Sequence, residues 1–466
     1  MASKYCKGDV SMENRKAFWG PVSAIVVAQF LIIMNNAVIN MATPAISHTY
    51  NITGAQRSWI INSYLVPFGA LLLVGGSISE KLGHKRTLTG ALVLFGIAAA
   101  GAGISPNIAW FVTCRCLQGM CAALMAPAAL ALLSITFSDS NQRSVAFSVY
   151  GLATGAAAGL GTIAGGVVTT VASWRWTLFM NLPLVLVALG AGAVWLRNVT
   201  VSPAGRWPNL FSAGLLAIGV SVSLTVLGYV TEGESIPLPS TTLMATVAVL
   251  CLVVFIRTER TSTHPLVPRD STFNRDRIFG LIVVTVGGLG PTGFFVAMSM
   301  YLQLTYGLAA SQASWVVLPY PLVMVVSSMF APILSRRLGL RCVATLGLIV
   351  AAASCPFIAT AAGSGWAWLE LWLSLMAAGM ALAFATGTQL AMTGVAEEES
   401  GSAGALTVAF PEIAGALGIA TLVIVEGYSG FLACAILTGS VLMCGAVSEA
   451  LTRTFNTKTP GTEPST

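Results

Sequence analysis

Apolar residues fall in runs of about twenty along nearly the whole chain, separated by short polar segments. A bilayer core is crossed by about 20 helical residues, so each run predicts one membrane helix. Fourteen are counted, centred near Val27, Leu71, Leu94, Ala123, Gly159, Val187, Gly219, Val249, Gly288, Val323, Ile349, Ala378, Ala416 and Leu437. Inside a bilayer the backbone has no water to bond, which favours helices for such runs. The expectation is an all-α integral membrane protein.

The polar segments alternate in charge. With the amino terminus inside, the inner segments hold twenty of the 23 Lys and Arg residues. The outer segments keep Arg57 and Arg175, and Arg115 falls within a helix. Basic residues are retained on the cytoplasmic side, so the pattern predicts an even helix count with both termini cytoplasmic; the expected location is the plasma (cell) membrane.

Composition agrees: 56% of the 466 residues are hydrophobic and 9% charged, against about 25% charged in a soluble domain. The net charge of +6 is spread over short loops and does not point to nucleic acid. Of nine cysteines, all but Cys6 lie in or at the edge of apolar runs, where they read as small packing residues and not as bridges or metal ligands. His48, His84 and His264 are far apart, and no inner loop gathers His, Asp or Cys at metal or nucleophile spacing. No enzyme, metal site or cofactor is expected.

The longest polar segment, Arg257 to Arg277, divides the chain. Ahead of it, Leu210–Val230 and Leu243–Ile256 lack ionisable residues in their cores and read as an inserted pair. The predicted organisation is a first six-helix bundle (1–197), the inserted pair (198–256), a cytoplasmic linker (257–277), a second six-helix bundle (278–452) and a cytoplasmic tail (453–466). An internal echo supports it. Leu334-Ser335-Arg336-Arg337-Leu338-Gly339-Leu340-Arg341 follows the tenth helix as Ile78-Ser79-Glu80-Lys81-Leu82-Gly83-His84-Lys85 follows the second. Parallel repeats of this kind place a substrate site between the halves near the midplane.

The early charged cluster runs Gly76-Ser77-Ile78-Ser79-Glu80-Lys81-Leu82-Gly83-His84-Lys85-Arg86. Gly76 and Gly83 suit a tight interhelical turn, and Glu80 can accept from free N–H groups at a neighbouring helix start. Lys81, Lys85 and Arg86 would face an anionic leaflet. On spacing alone, an ordinary basic loop reads equally well. The order resembles the signature of the major facilitator superfamily between its second and third helices, with Glu80 where Asp is usual.

Further stretches are similar to the fourteen-helix drug:proton antiporter branch of that superfamily. In helix 1, Asn35, Asn36 and Asn40 precede Thr43-Pro44. They read either as substrate contacts or as interhelical hydrogen bonds that fix packing. The branch carries an Asp where Asn35 stands. Helix 2 holds Trp59, an interfacial residue, and Tyr64, deep enough to face a cavity. In helix 4, Arg115-Cys116-Leu117-Gln118-Gly119 resembles the motif whose arginine is implicated in proton coupling. An intramembrane arginine marks a functional site unless it snorkels to a surface. Helix 5 carries Gly151, Gly155 and Gly159 at intervals of four, then Gly161, Gly165 and Gly166, a ridge that permits close helix approach. It resembles the antiporter motif, with Thr162 in place of its proline.

Ser173-Trp174-Arg175-Trp176 through Asn181-Leu182-Pro183 is similar to the helix 5–6 junction of the branch and reads as a structural anchor. Tyr301-Leu302-Gln303 through Pro319 resembles its helix 9–10 turn, where Gln303 faces either the cavity or water at a helix end. Helix 13 holds Phe410-Pro411-Glu412, with an Arg-Gln pair usual at the last two positions. Glu412 is the most deeply placed acid of any predicted helix and reads as a proton carrier or a protonated packing residue.

The resemblance implies a major facilitator fold and proton-driven export of amphipathic or cationic small molecules such as antibiotics, by a protein functional as a monomer. It implies proton coupling at Glu412 and Arg115. A substrate cavity would use Asn35, Asn36, Asn40, Tyr64, Gln118, Phe294, Met298 and Gln303, and the gates would be built from Gly76, Glu80, Gly83, Lys85, Arg86, Gly155, Gly159, Gly161 and Gly165. The alternatives are a uniporter or importer of the same fold, which Asn35 and Thr162 favour, and a non-transporting membrane sensor or assembly protein.

Overall fold

The computed structural model describes residues 12–52, 55–137, 139–196, 210–231, 238–261, 274–304, 306–307, 315–361, 366–395 and 399–454. Most of the linker segment, Cys6 and most of the tail lie outside these, as do the side chains of Asn40 and Gln303. The described elements are α1 (Met12–Tyr50), α2 (Ala55–Leu82), α3 (His84–Gly103), α4 (Ile108–Thr136), α5 (Ser140–Val171), α6 (Trp176–Phe179), α7 (Asn181–Trp195), α8 (Leu210–Thr231), α9 (Leu238–Thr261) and α10 (Arg275–Leu304). They continue with α11 (Pro319–Ser328), α12 (Ala331–Leu338), α13 (Leu340–Ala361), α14 (Trp366–Ala391) and α15 (Ser400–Thr454). No strand occurs among the described residues.

Nine helices among these residues are long and apolar enough to cross a bilayer. The apolar pair α11 and α12, bent by 51° at its break, counts as a tenth when taken as one span. Pro332 accounts for the bend: it has no N–H for the carbonyl four residues back, and its ring crowds that carbonyl. The helix α15 is continuous in its backbone but cannot be straight. A Cβ on Gly288 would meet Pro411 and one on Gly290 would meet Thr438. Two residues along α10 is about 3 Å, whereas Pro411 and Thr438 would be about 40 Å apart on a straight helix. α15 therefore doubles back along its length.

Two apolar cores organise the bundle. Ile25, Leu31, Phe68, Phe95, Leu130 and Phe147 anchor the first, drawn from α1 to α5, with α7 adding Val185. Phe279, Val283, Leu348, Leu373, Met376 and Leu442 anchor the second. At the basic end, the two repeated loops turn alike: Gly83 (φ 92°) and Gly339 (φ 85°) both adopt backbone that side-chain-bearing residues rarely reach. The inserted α8 packs on both halves. Its Leu216 joins Ala70, Leu73 and Val74 of α2, Leu281 of α10 and Ala405 and Leu406 of α15 in one apolar cluster.

Candidate functional site: the seam between the halves

The halves meet tightly at the basic end. Gly76 and Gly401 bring α2 against α15 so closely that a Cβ on either would lie 2.5–2.6 Å from the other's carbonyl oxygen. The Ser402 N–H donates to Glu80 Oε1 at 2.6 Å. Ser400, first residue of α15, pairs its hydroxyl with His84 Nε2 at 3.0 Å, and His84 Nδ1 lies 3.1 Å from Ser79 Oγ. Glu80 thus accepts from an unsatisfied donor in the first turn of a helix, where a negative charge is also favoured by the helix dipole. Arg143 of α5 donates to Met392 O, just past α14, at 2.7 Å and to Ser134 Oγ at 2.7 Å. Ser144 and Ser335 pair at 3.3 Å. Lys85 donates to Leu196 O within the first half, while Arg86 is exposed.

Above this closure, α5 serves both sides of the seam. Gly155 and Gly159 face Met324 and Pro321 of α11 in the second half, and Gly151 faces Ala385 of α14. Gly161 and Gly165 instead receive α1, at Met34, Ala37 and Val38. The glycine-rich run is therefore two ridges, one between halves and one within the first.

Deep in the first half lies a polar cluster. Arg115 is wholly buried; its Nη1 donates to Gln118 Oε1 at 3.1 Å, and its guanidinium sits 4.6 Å from the centre of the Tyr64 ring. It does not snorkel. Arg115 Nε and Nη2 have no hydrogen-bond partner among the described residues. Gly119 makes this geometry possible, since a Cβ there would lie 2.3 Å from Tyr64 O. Tyr64 is 1% exposed, stacks on Phe68 and donates its hydroxyl to Ile32 O of α1 at 3.2 Å. Asn35 accepts from Asn181 Nδ2 of α7 at 3.1 Å, which favours the packing reading of that asparagine. Asn36 is half-buried with its carbonyl oxygen unpartnered.

Glu412 faces this cluster from the other half. It lies about 18 Å along α15 from Ser400, yet its side chain is exposed. Phe410, about 200° away around the helix, lines an outer apolar groove of about 320 Å³ with Ile278, Leu281 and Val286. Glu412 points the opposite way, within electrostatic reach of Tyr64 and Tyr150 of the first half. Its exposure is to the seam. Arg115 has Tyr64 and Cys116 as its electrostatic neighbours, and Tyr64 is within electrostatic reach of both Arg115 and Glu412.

Phe294 and Met298 depart from expectation. Both are fully buried with Leu302 in the second core, on a four-residue stripe of α10, and present no surface to a cavity here. Tyr64, Asn35 and Gln118 are likewise buried between helices and do not line open space in this conformation.

A sequence model described as the Major Facilitator Superfamily matches residues 25–419. The chain belongs to this superfamily. Among its relatives in it, the puromycin resistance protein pur8 of Streptomyces alboniger is 31% identical over 432 residues, covering 90% of this chain and 83% of that one. The lincomycin resistance protein of Streptomyces lincolnensis is 33% identical over 341 residues, 72% and 68% of the two chains. The cephamycin export protein CmcT of Amycolatopsis lactamdurans is 30% identical over 434 residues, 86% and 83%. The superfamily fold is shared with the human organic anion transporter MFSD10 (TM-score 0.68, 13% identity, 92% of this chain and 99% of that one). It is shared also with the proton:xylose symporter XylE (TM-score 0.65, 15% identity, 95% and 96%). As a superfamily member the chain is a multi-pass membrane protein and a transporter, not an enzyme.

Several residues of this transporter's seam were not singled out in the sequence: His84 as a bridge, Arg143, Ser400, Ser402 and Tyr150. A signal existed for two of them. Ser400-Gly401-Ser402 follows the acidic run Glu397-Glu398-Glu399, the composition of a helix start.

Proposed function

We propose that this chain exports small amphipathic or cationic molecules of antibiotic type across the plasma membrane, by alternating access and in exchange for protons. Both termini are cytoplasmic in this reading, and the chain works as a monomer. The observation that carries it is Glu412, a carboxylate exposed to the seam inside a membrane helix, where a charge persists only if it has work to do. The names of the relatives, which speak of antibiotic resistance and export, supply the substrate class and direction. The closed basic end corresponds to one limb of the cycle. Ionised, Glu412 can hold a cationic substrate or a proton from the outer side; neutralised, it removes a charge from the seam and changes which packing is favoured.

The test is proton release from acidified inside-out vesicles as cationic and neutral antibiotics are added. Wild type is expected to lose the gradient on substrate addition, and Glu412→Gln to keep it. A Glu412→Gln protein that still dissipates the gradient sinks this role for Glu412. A facilitator reading has one observation in its favour, the neutral Asn35 committed to Asn181. Substrate equilibration without any gradient loss in wild type would select it.

A further inference from the structure

The ring of His84 joins the two halves at the basic end, held between Ser79 of α2 and Ser400 of α15. We propose that His84 is a proton-linked latch: the basic end closes on the neutral ring alone, so a proton taken up there opens this end of the transporter. The latch concerns the closure and not the carboxylate of Glu412, and it stands without the exchange reading.

The hydrogen bonds assign the proton of the ring. Ser79 Oγ donates to Gly76 O at 2.8 Å, so its one hydrogen is spent, and toward His84 Nδ1, 3.1 Å away, it can only accept. A neutral imidazole carries a single N–H, which this contact places on Nδ1. Nε2 is then bare and accepts the Ser400 hydroxyl at 3.0 Å. One neutral ring satisfies both contacts. A second proton would have to sit on Nε2, where the Ser400 hydroxyl now donates. The resulting cation would lie at two helix starts, since His84 is the first residue of α3 and Ser400 the first of α15, and both dipoles oppose positive charge there. At 6% exposure the ring has little water to take up that charge. The charged groups around it offer no ready partner. Glu80 of α2 accepts from Ser402 N–H, Lys85 of the same helix donates to Leu196 O, and Arg143 of α5 donates to Ser134 Oγ and Met392 O. Lys81 and Arg86 flank His84 in the chain and add like charge, and Glu399 lies just before α15. The ends of α4 and α7 bring no ionisable side chain here. In water an imidazole takes up its proton at about pH 6.5. An open end that wets the ring binds one more proton than a closed end that refuses it, so falling pH favours opening.

The experiment measures distances between spin labels at Leu82 of α2 and Arg337 of α12, both exposed at the basic end on opposite halves. It uses the full-length protein in nanodiscs, without substrate or gradient. In otherwise wild-type protein the ratio of open to closed populations should rise about tenfold between about pH 7.5 and about pH 5.5. His84→Gln, which has no titrating ring, should change by less than about twofold, and Glu412→Gln should keep the full response. An unresponsive wild type overturns the latch. So does a response that survives in His84→Gln, as it would if Glu80 or Glu399 took the proton, or one that is lost in Glu412→Gln. Should His84→Gln not fold, the nitrogen resonances of the wild-type ring decide. The closed protein must show a neutral imidazole protonated at Nδ1, and a charged ring or a proton on Nε2 alone overturns the assignment. Because neither substrate nor gradient is present, failure of Glu412 as the exchanged carboxylate leaves each of these readings unchanged.

Discussion

Glu80 and Ser402 are 322 positions apart, and the carboxylate of one accepts the backbone N–H of the other at 2.6 Å. This bond joins the end of α2 to the first turn of α15 and so ties one half of the transporter to the other. Hydrogen bonds to a charged group contribute about 1.5–3 kcal/mol. Glu80→Ala should therefore shift the balance at the basic end toward opening by about tenfold or more. Cysteine labelling at that end, or spin-label distances between α2 and α15, would report it; unchanged distances would show the bond to be incidental.

The approach of Gly76 to Gly401 makes a steric prediction. A Cβ at Gly401 would sit 2.5 Å from Gly76 O, a backbone atom that cannot move aside like a side chain. Gly401→Val should prevent closure at the basic end, with transport falling below a tenth while the protein still assembles. A Gly401→Val protein with normal transport would mean that the cycle does not need this close approach.

The two ridges of α5 should respond differently. Gly161 abuts Ala37 and Met34 within the first half, so Gly161→Val should lower yield and thermal midpoint. Gly159 abuts Pro321 across the seam, so Gly159→Val should lower transport more than stability. Measuring both properties on both variants separates the ridges, and identical profiles would argue that they act as one.

Arg175 should prove structural. Its Nη1 donates to Gly103 O and Ser105 O, both at 2.9 Å, closing the end of α3, and its guanidinium lies over Trp174. Removing it leaves Gly103 O without this donor, at about 1–3 kcal/mol where water does not reach it, while Ser105 O keeps the Tyr50 hydroxyl. Arg175→Ala should lower the thermal midpoint by several degrees without changing the order of preference among substrates. A changed preference would place Arg175 in substrate handling.

Much of this architecture is legible from patterns that have a single physical cause. Apolar runs of bilayer length have one solution in lipid, and a glycine between a helix end and a basic run marks the turn made by both Gly83 and Gly339. Other features need the third dimension. Phe294 and Met298 lie one helical turn apart, a spacing that serves a core as well as a cavity, and the core has them. The stacking of Arg115 on Tyr64 depends on Gly119 letting α4 approach α2, which neither helix announces by itself. Proline was equally ambiguous. Pro67, Pro127, Pro356 and Pro411 lie inside unbroken helices, whereas the crossing that holds Pro332 bends by 51°.

The position of α8 changes what kind of machine the fold is. Leu216 touches a cluster that takes residues from α2 on one side and α15 on the other, so the inserted pair is a third member of the joint and not a passenger on one half. Any rocking of the halves must slide both of them over the same greasy bearing. A twelve-helix version trimmed of residues 198–256 would leave Leu73, Val74, Leu281 and Leu406 facing lipid along the moving line, free to be wedged by acyl chains.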